Sequence, residues 1–367
     1  MFSDFEKEDK EAYDYYTNYN LKIKRQIYKE NGLCGLINIG NKCFMNSIIQ
    51  CLFHTLSFSD YLLSCDYKKD LTVKNKDRPE HFVLLSYILL INHVFDENQL
   101  IKPRTLVENI CKIHKKYFSL RQQDAHEFLL LLLDIFHNSL SYTTKWTIEG
   151  TPITTHDKLV HESLQTWKTF YEKDDSFFID TFNGMTLSKI TCENCQEITN
   201  TFNPFSTTTL CLGENSSLKE LLKRNFEMSS NLQDFLCEKC NKKGTCRKKT
   251  NLWKLPNYFI IHLNRFKDNL KKNNMPIDFP LENLNLTEYV SPDKMDENNY
   301  IYDCYAINCH TGNTEGGHYY SICRKLDNPW YIFDDGNVSK CNEFSSGVKD
   351  AYILFYHRKF IKPTVQE

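Results

Sequence analysis

Four cysteines stand in two matched pairs, Cys192-Glu193-Asn194-Cys195 and Cys237-Glu238-Lys239-Cys240. A Cys-x-x-Cys turn presents two sulfurs to one ion, and two such turns complete the tetrahedral thiolate set that zinc takes in structural sites. The alternatives are four buried thiols or a redox pair, but a redox motif needs only one such turn. Four thiolates leave no open position for water or substrate, so the expected zinc is structural, in a single four-cysteine site. It does not name a reaction. A nucleophile is expected at Cys43, where a loop containing Gly35 and Gly40 meets the start of a helix. The partial positive charge of a helix N-terminus stabilises thiolate, the reactive form of cysteine. His318 follows Gly316-Gly317 and opens the strand-like run HYYSICR, while Asp334 closes the run WYIF. Across an antiparallel pair, that carboxylate could orient the imidazole. Singly, Cys43 reads as a buried thiol, His318 as a turn histidine and Asp334 as a solvated acid; only the combination points to a Cys-His-Asp triad.

The elements that must position these groups follow from periodicity. Phe44, Ile48, Leu52 and Leu56 recur at helical spacing from Cys43 onward. His81 to Phe95, Thr105 to His114 and Gln122 to Asn138 also read as helices, the last with an apolar face of Phe128, Leu129, Leu132, Leu133 and Phe136. After about residue 175 the texture turns β-branched and aromatic. Strands are expected at Thr186 to Thr191, Tyr258 to Leu263, Tyr300 to Asn308, His318 to Cys323, Trp330 to Phe333 and Ala351 to His357. Residues 141 to 175 show neither period clearly, and Asp268 to Asn274 with Ser291 to Asn299 read as exposed polar loops. A helical first part and a strand-rich second part make the chain α+β.

Composition bounds the rest. The 367 residues allow one large or two ordinary domains, at roughly 150 residues each. No repeat and no Pro/Gly/Ser-rich linker divides them. Hydrophobic residues at 41% and charged residues at 25% exclude a disordered chain. With 45 Lys and Arg against 47 Asp and Glu, nothing global favours nucleic acid. The start MFSDFEKEDKEAYDYY has no basic or apolar leader, and no apolar run is long enough for a membrane span, so an intracellular protein is expected. Fifteen cysteines, an odd count in a long chain, then read as thiols, metal ligands and a nucleophile rather than disulfides.

Several longer motifs carry a resemblance. Gly35-Leu36-Ile37-Asn38-Ile39-Gly40-Asn41-Lys42-Cys43-Phe44-Met45-Asn46-Ser47 resembles the cysteine box of the ubiquitin-specific proteases, the papain-like deubiquitinases. Arg121-Gln122-Gln123-Asp124-Ala125-His126-Glu127-Phe128-Leu129 resembles that family's second motif, and Leu255 to Phe266 its central strand. Gly316-Gly317-His318-Tyr319, Trp330 to Asp335 and Ala351 to Tyr356 resemble the histidine box and closing strands, in order along nearly the whole chain. The resemblance implies a hand-like fold, with a helical thumb at about 31–175, zinc-bearing fingers at about 176–255 and a β-rich palm at about 256–360. An N-terminal extension, 1–30, and a tail, 361–367, flank it. It further implies that Cys43 is the nucleophile, His318 the base and Asp334 the orienting residue. Asn38 matches the position that helps form the oxyanion hole, against a plain turn Asn. Asp124 matches a position that binds the ubiquitin tail, against a helix cap or surface acid. Gly316 and Gly317 leave room for the narrow Gly-Gly end of that tail, against a plain hairpin turn.

The partners implied are ubiquitin and ubiquitinated proteins. The wording of the cysteine box and of RQQDAHEFL looks most like the histone deubiquitinases of the SAGA coactivator, which implies activating subunits of a chromatin complex and a nuclear location, with the cytoplasm open. Lys42 departs from the family's small hydroxyl residue; its cation would either lower the thiol pKa of Cys43 or extend into solvent. Cys246 is the one auxiliary ligand candidate near the second knuckle. The basic stretch Lys242, Lys243, Arg247, Lys248 and Lys249 reads as a solvated finger tip rather than a nucleic-acid contact. Two other classes compete with an active deubiquitinase. A silent ubiquitin-binding zinc scaffold would bind without cleaving, and a zinc-ribbon nucleic-acid binder would leave Cys43, His318 and Asp334 unexplained.

Overall fold

Helix α1 (Cys43–Phe53) begins at Cys43 and is buried on every side, including its polar residues Asn46, Ser47 and Gln50. An all-round buried helix tolerates polar groups only where they find partners. Gln50 Nε2 donates to Cys34 O at 2.7 Å, and Ser47 Oγ accepts from Asn308 Nδ2 at 2.7 Å. These bonds tie α1 to the loop before it and to the sheet behind it. The same core as α1 is shared by α2 (Leu56–Leu63), α3 (Pro79–Asp96), α4 (Arg104–Ile113) and α5 (Ala125–Leu140). The computed structural model describes residues 28, 31–71, 78–96, 99–119, 121–213, 217–266, 272–295, 298–313, 316–326, 329–341 and 348–359. The expected extension 1–30, apart from Tyr28, and the tail 361–367 lie outside these residues, as does most of the expected polar loop from Asp268 to Asn274. Tyr28 itself is buried, edge-on to Phe95 of α3.

The stretch 141 to 175, where no period is evident, contains α6 (Thr155–Tyr171), followed by α7 (Phe177–Phe182). A capping box starts α6: Thr154 Oγ1 accepts from Asp157 N, and the Asp157 carboxylate accepts from Thr154 N. Only Leu159, Ser163 and Trp167 of this helix are buried, so its apolar stripe is too thin to stand out.

Two sheets follow. A four-stranded antiparallel sheet has the order β2 (Ile198–Phe205), β1 (Gly184–Cys192), β5 (Lys243–Lys254), β4 (Ser230–Leu236). The larger sheet comprises β3 (Thr208–Cys211), β6 (Tyr258–Asn264), β7 (Leu284–Asn285), β8 (Ile301–Gly312), β9 (Gly317–Arg324), β10 (Trp330–Asp334), β11 (Asn337–Cys341) and β12 (Ala351–Arg358). Its order is β11-β10-β9-β8-β12-β6-β3, with β7 beside β8. Strand β3 joins it in parallel with β6, and α8 (Leu218–Phe226) packs in the same core as β3 and β6, so the range 176–255 is shared between the two sheets.

The central strand β12 explains why sheet texture in the second half reads as continuous apolar runs. Ile353 and Phe355 face the helical lobe, Leu354 and Tyr356 face a second core containing α8, and both sets are buried. Alternate residues of a strand point to opposite faces, and here both faces are covered.

Candidate active site and four-thiol cluster

The cleft forms where α1, the 121–124 segment and the ends of β9 and β10 meet. The register that sets Phe333 of β10 opposite Ser321 of β9 puts Asp334 one alternation from His318 on the same face. His318 Nε2 accordingly donates to Asp334 Oδ1 at 2.5 Å, with both side chains partly open to solvent. The strands β10 and β11 are joined by a two-residue turn, Asp335-Gly336, in which Asp335 has a φ of +49°. Asp-Gly suits such turns because Asp tolerates the left-handed region and Gly needs no side-chain space. The space is absent on the facing loop too: a Cβ on Gly35 would lie 2.3 Å from Gly336 O, so the nucleophile's loop and this turn touch backbone to backbone. Leu36 N donates to Asp335 O at 2.8 Å.

Asp335 is the joint of the site. Its Oδ2 accepts from Asn38 Nδ2 at 2.9 Å and its Oδ1 from Asn46 Nδ2 at 2.8 Å. Asn38 in turn accepts from Lys42 N at 2.8 Å, which shapes the loop entering α1. One hydrogen of the Asn38 amide remains for another acceptor, since an NH2 group has two. In the sequence Asp335 reads as a neighbour of Asp334 that shares the polar support of the site; its partners Asn38 and Asn46 lie in a distant part of the chain and are not legible there.

Cys43 is 1% exposed. Burial pushes its thiol pKa up, and the Asp335 charge adds to this, while the backbone N–H groups of Tyr319, Phe44 and Cys43 itself pull it down. The thiol lies beside the N-terminus of α1 and beside the residue that follows His318. Gln122 Nε2 lies 3.7 Å from Cys43 Sγ and also donates to Gly317 O, while Gly317 N donates to Gln122 Oε1 at 3.1 Å. Gln122 falls inside the second motif, yet nothing in its local spacing assigns it a role.

Lys42 corrects both sequence readings. Its side chain is buried, and Nζ donates to Ser119 O at 2.5 Å. It faces Cys111 rather than Cys43, and burial lowers its pKa. Asp124 caps α5, accepting from Glu127 N at 2.9 Å, and its other oxygen accepts from Tyr352 Oη. Around Gly316 there is open space, whereas a Cβ on Gly317 would lie 2.2 Å from His310 Nε2, so the small size of Gly317 serves the protein's own packing.

The four-thiol cluster lies at the far end of the four-stranded sheet. Each knuckle closes the same way: Gln196 N donates to Cys192 O and Asn241 N to Cys237 O, both at 2.9 Å, with Gln196 and Asn241 at positive φ. The four Sγ atoms lie within 4.8 Å of one another. Cys195 and Cys237 are 3.6 Å apart and Cys192 and Cys240 4.0 Å. Sulfurs about 2.3 Å from one tetrahedral ion would be roughly 3.8 Å apart, so the donor set fits a metal. Cys246 sits opposite Cys192 in the β1–β5 register, buried beside the set but outside it. The basic stretch is partly neutralised: Lys243 pairs with Asp234 at 3.5 Å and Arg247 with Glu193 at 3.6 Å.

A family model described as ubiquitin carboxyl-terminal hydrolase matches residues 34–356. The chain belongs to this family. It is 31% identical over 338 residues to ubiquitin carboxyl-terminal hydrolase 2 of Bos taurus, covering 89% of this chain and 55% of that protein. It is 33% identical over 344 residues to ubiquitin carboxyl-terminal hydrolase Usp2 of Drosophila melanogaster, covering 90% and 35%. The chain thus spans about half, or less, of the length of these relatives. Among solved structures, a yeast SAGA DUB module with an Sgf73 mutant aligns at a TM-score of 0.71 with 25% identity, covering 91% of this chain and 70% of that one. The SAGA Ubp8/Sgf11/Sus1/Sgf73 DUB module bound to ubiquitin aldehyde aligns at 0.69 with 24% identity, covering 91% and 71%. The family resemblance and the α+β fold expected for it are therefore borne out, and these structures are of the SAGA branch that the motif wording suggests. No helix among the described residues is long and apolar enough to cross a membrane.

Proposed function

We propose that the chain is a cysteine-type deubiquitinase that cleaves the isopeptide bond after the C-terminal glycine of ubiquitin. The observation that carries this reading is the His318–Asp334 hydrogen bond beside a buried Cys43 at a helix N-terminus. Because Nε2 of His318 is held by Asp334, the basic lone pair lies on Nδ1. Nδ1 takes the Cys43 proton, and the thiolate attacks the glycine carbonyl carbon. The oxyanion is stabilised by the free hydrogen of the Asn38 amide, a contribution of about 3 kcal/mol in comparable sites. The imidazolium then protonates the departing lysine amine, leaving a thioester. Water, deprotonated by Nδ1, attacks that thioester and releases the ubiquitin carboxylate and the Cys43 thiol. Asp124, with a lone pair spare on each oxygen, would take the basic residues of the ubiquitin tail, and the open side of Gly316, with Gly317 next to it, would border the Gly-Gly end.

Cys192, Cys195, Cys237 and Cys240 would hold one zinc ion, which would stabilise the finger fold and take no part in the reaction. By analogy with the SAGA modules, we further propose ubiquitinated histone as substrate, chromatin-complex subunits as partners and the nucleus as location. The helical lobe, the four-stranded sheet and the larger sheet would serve as thumb, fingers and palm. The test is covalent labelling by ubiquitin bearing a C-terminal cysteine-reactive group. Labelling by the native protein that vanishes in Cys43→Ala supports the reading. Ubiquitin binding without labelling or cleavage, in folded and metal-loaded protein, would instead establish the silent scaffold.

A further inference from the structure

Gln122 bridges the cleft. Its carbonyl oxygen accepts from Gly317 N at 3.1 Å, one amide hydrogen goes to Gly317 O, and the same nitrogen stands 3.7 Å from Cys43 Sγ. An amide NH2 has two hydrogens, so one can serve the Gly317 carbonyl and the other the sulfur. The Gly317 carbonyl belongs to the peptide that leads into His318, so one side chain holds both the start of the histidine strand and the nucleophile.

Both mounts are rigid. Behind Gln122, Asp124 is fixed by the Glu127 N–H and the Tyr352 hydroxyl. Behind Gly317, the peptide is paired with Gly312 and pressed on His310 and Thr311 so closely that no Cβ fits. A group held this firmly can set geometry to the tolerance that proton transfer and attack require.

We propose that Gln122 is a positioning residue: it fixes the His318 strand relative to Cys43 and donates a hydrogen bond to the sulfur as it becomes charged. This rests on the deubiquitinase reading for its substrate but not for its chemistry. The need is evident from what faces the thiol. The Asp335 carboxylate of the β10–β11 turn opposes the thiolate, and Asp334, on β10, is committed to His318. Lys42 turns away to Ser119 and Cys111, and Asp124 and the Tyr319 phenol add no positive charge. Stabilisation must come from His318 and from N–H donors: the backbone of Tyr319, Phe44 and Cys43, and Gln122. A hydrogen bond to a charged acceptor is stronger than a neutral one, so the Gln122 contact gains strength as the thiolate forms.

A competing reading makes the Gln122–Gly317 bridge a latch that substrate must open, and it predicts the opposite sign. The experiment compares the native full chain, metal content verified, with Gln122→Ala and Gln122→Glu. Two quantities are read: hydrolysis of a fluorogenic ubiquitin C-terminal amide, and the pH dependence of Cys43 alkylation by iodoacetamide. Gln122→Ala should lower kcat roughly tenfold with little change in KM, the size expected for one hydrogen bond to a charged group. Its alkylation midpoint should move to higher pH. Gln122→Glu retains an acceptor for Gly317 N but loses both donors and adds a charge, so its midpoint should move further in the same direction. Should Gln122→Ala fail to fold, the Glu variant decides. An unmoved midpoint, or a rise in kcat/KM as a latch requires, overturns the proposal. A native protein that alkylates as described but cleaves no ubiquitin substrate sinks the deubiquitinase reading and leaves the role of Gln122 standing.

Discussion

The four-thiol tip and the cleft are both clusters of reactive side chains at strand ends, yet they are assembled over different ranges of chain. The tip draws all four sulfurs from the β1–β2 and β4–β5 turns of one sheet, and its own small core is Cys246 with Ile190, Leu232 and Phe235. The cleft draws Asn38 and Cys43, Gln122, His318, and Asp334 with Asp335 from separate segments, held over the large core between helices and sheet. A cluster built by local turns depends on what binds it. One built by tertiary packing depends on the joints between segments. The two should therefore fail independently.

The largest separation should come from the tip. Cys237→Ser, or a chelator acting on the proposed zinc, should take away a contribution on the scale of isolated zinc modules, on the order of 10 kcal/mol. Hydrogen exchange is expected to show loss of protection in β1, β2, β4 and β5 while β8, β9 and β12 stay protected and Cys43 still alkylates. Simultaneous loss of protection in both sheets would show that the two regions form one cooperative unit.

Next in size is the joint at Asp335. Asp335→Ala removes the acceptor for Asn38 and Asn46 and should reduce kcat/KM roughly a hundredfold, at about 1.5 kcal/mol or more for each bond to the carboxylate. Metal content should not change. A variant with full activity would mean that the Gly35–Gly336 backbone contact alone sets the loop.

The third effect is one of pH and acts on the cleft side. Burial holds His262 down to about 3 and His310 to about 4, against 6.5 in the unfolded chain, and His126 stacked on His262 at 3.9 Å adds repulsion. Between those values the unfolded state binds more protons than the native one. Stability from these groups is complete above about pH 6.5 and declines as pH falls toward 4. The melting temperature should fall across that window, and His310→Gln should make the fall shallower. An unchanged slope would place the acid sensitivity elsewhere, the thiolates of the tip being the first alternative.

Periodicity is informative where burial is one-sided or complete. Helices at Cys43, His81 and Thr105 and strands β6, β8, β9, β10 and β12 of the larger sheet are visible because their apolar residues face a core, whereas the short or exposed β3, β7 and β11 are not. It fails where the core contributes little. Strands β2 and β4 are mostly exposed and polar, so they carry no alternation, and they are held by the backbone ladder rather than by apolar burial. Helix α6 is legible only through its capping box, Thr154 and Asp157.

The sequence by itself determined the chemistry on offer: two knuckles, a cysteine at a helix start, a histidine after a glycine pair and an acid at a strand end. Each is a short-range pattern, because turns, caps and strand ends involve residues near one another in the chain. Only the tertiary structure decided which of these groups meet. Asp335 gained its role from Asn38 and Asn46, Gln122 from Gly317 and Cys43, and Lys42 lost its expected one to Ser119. Such contacts join positions far apart in the chain, where close packing of the core, not local spacing, sets the distance between them.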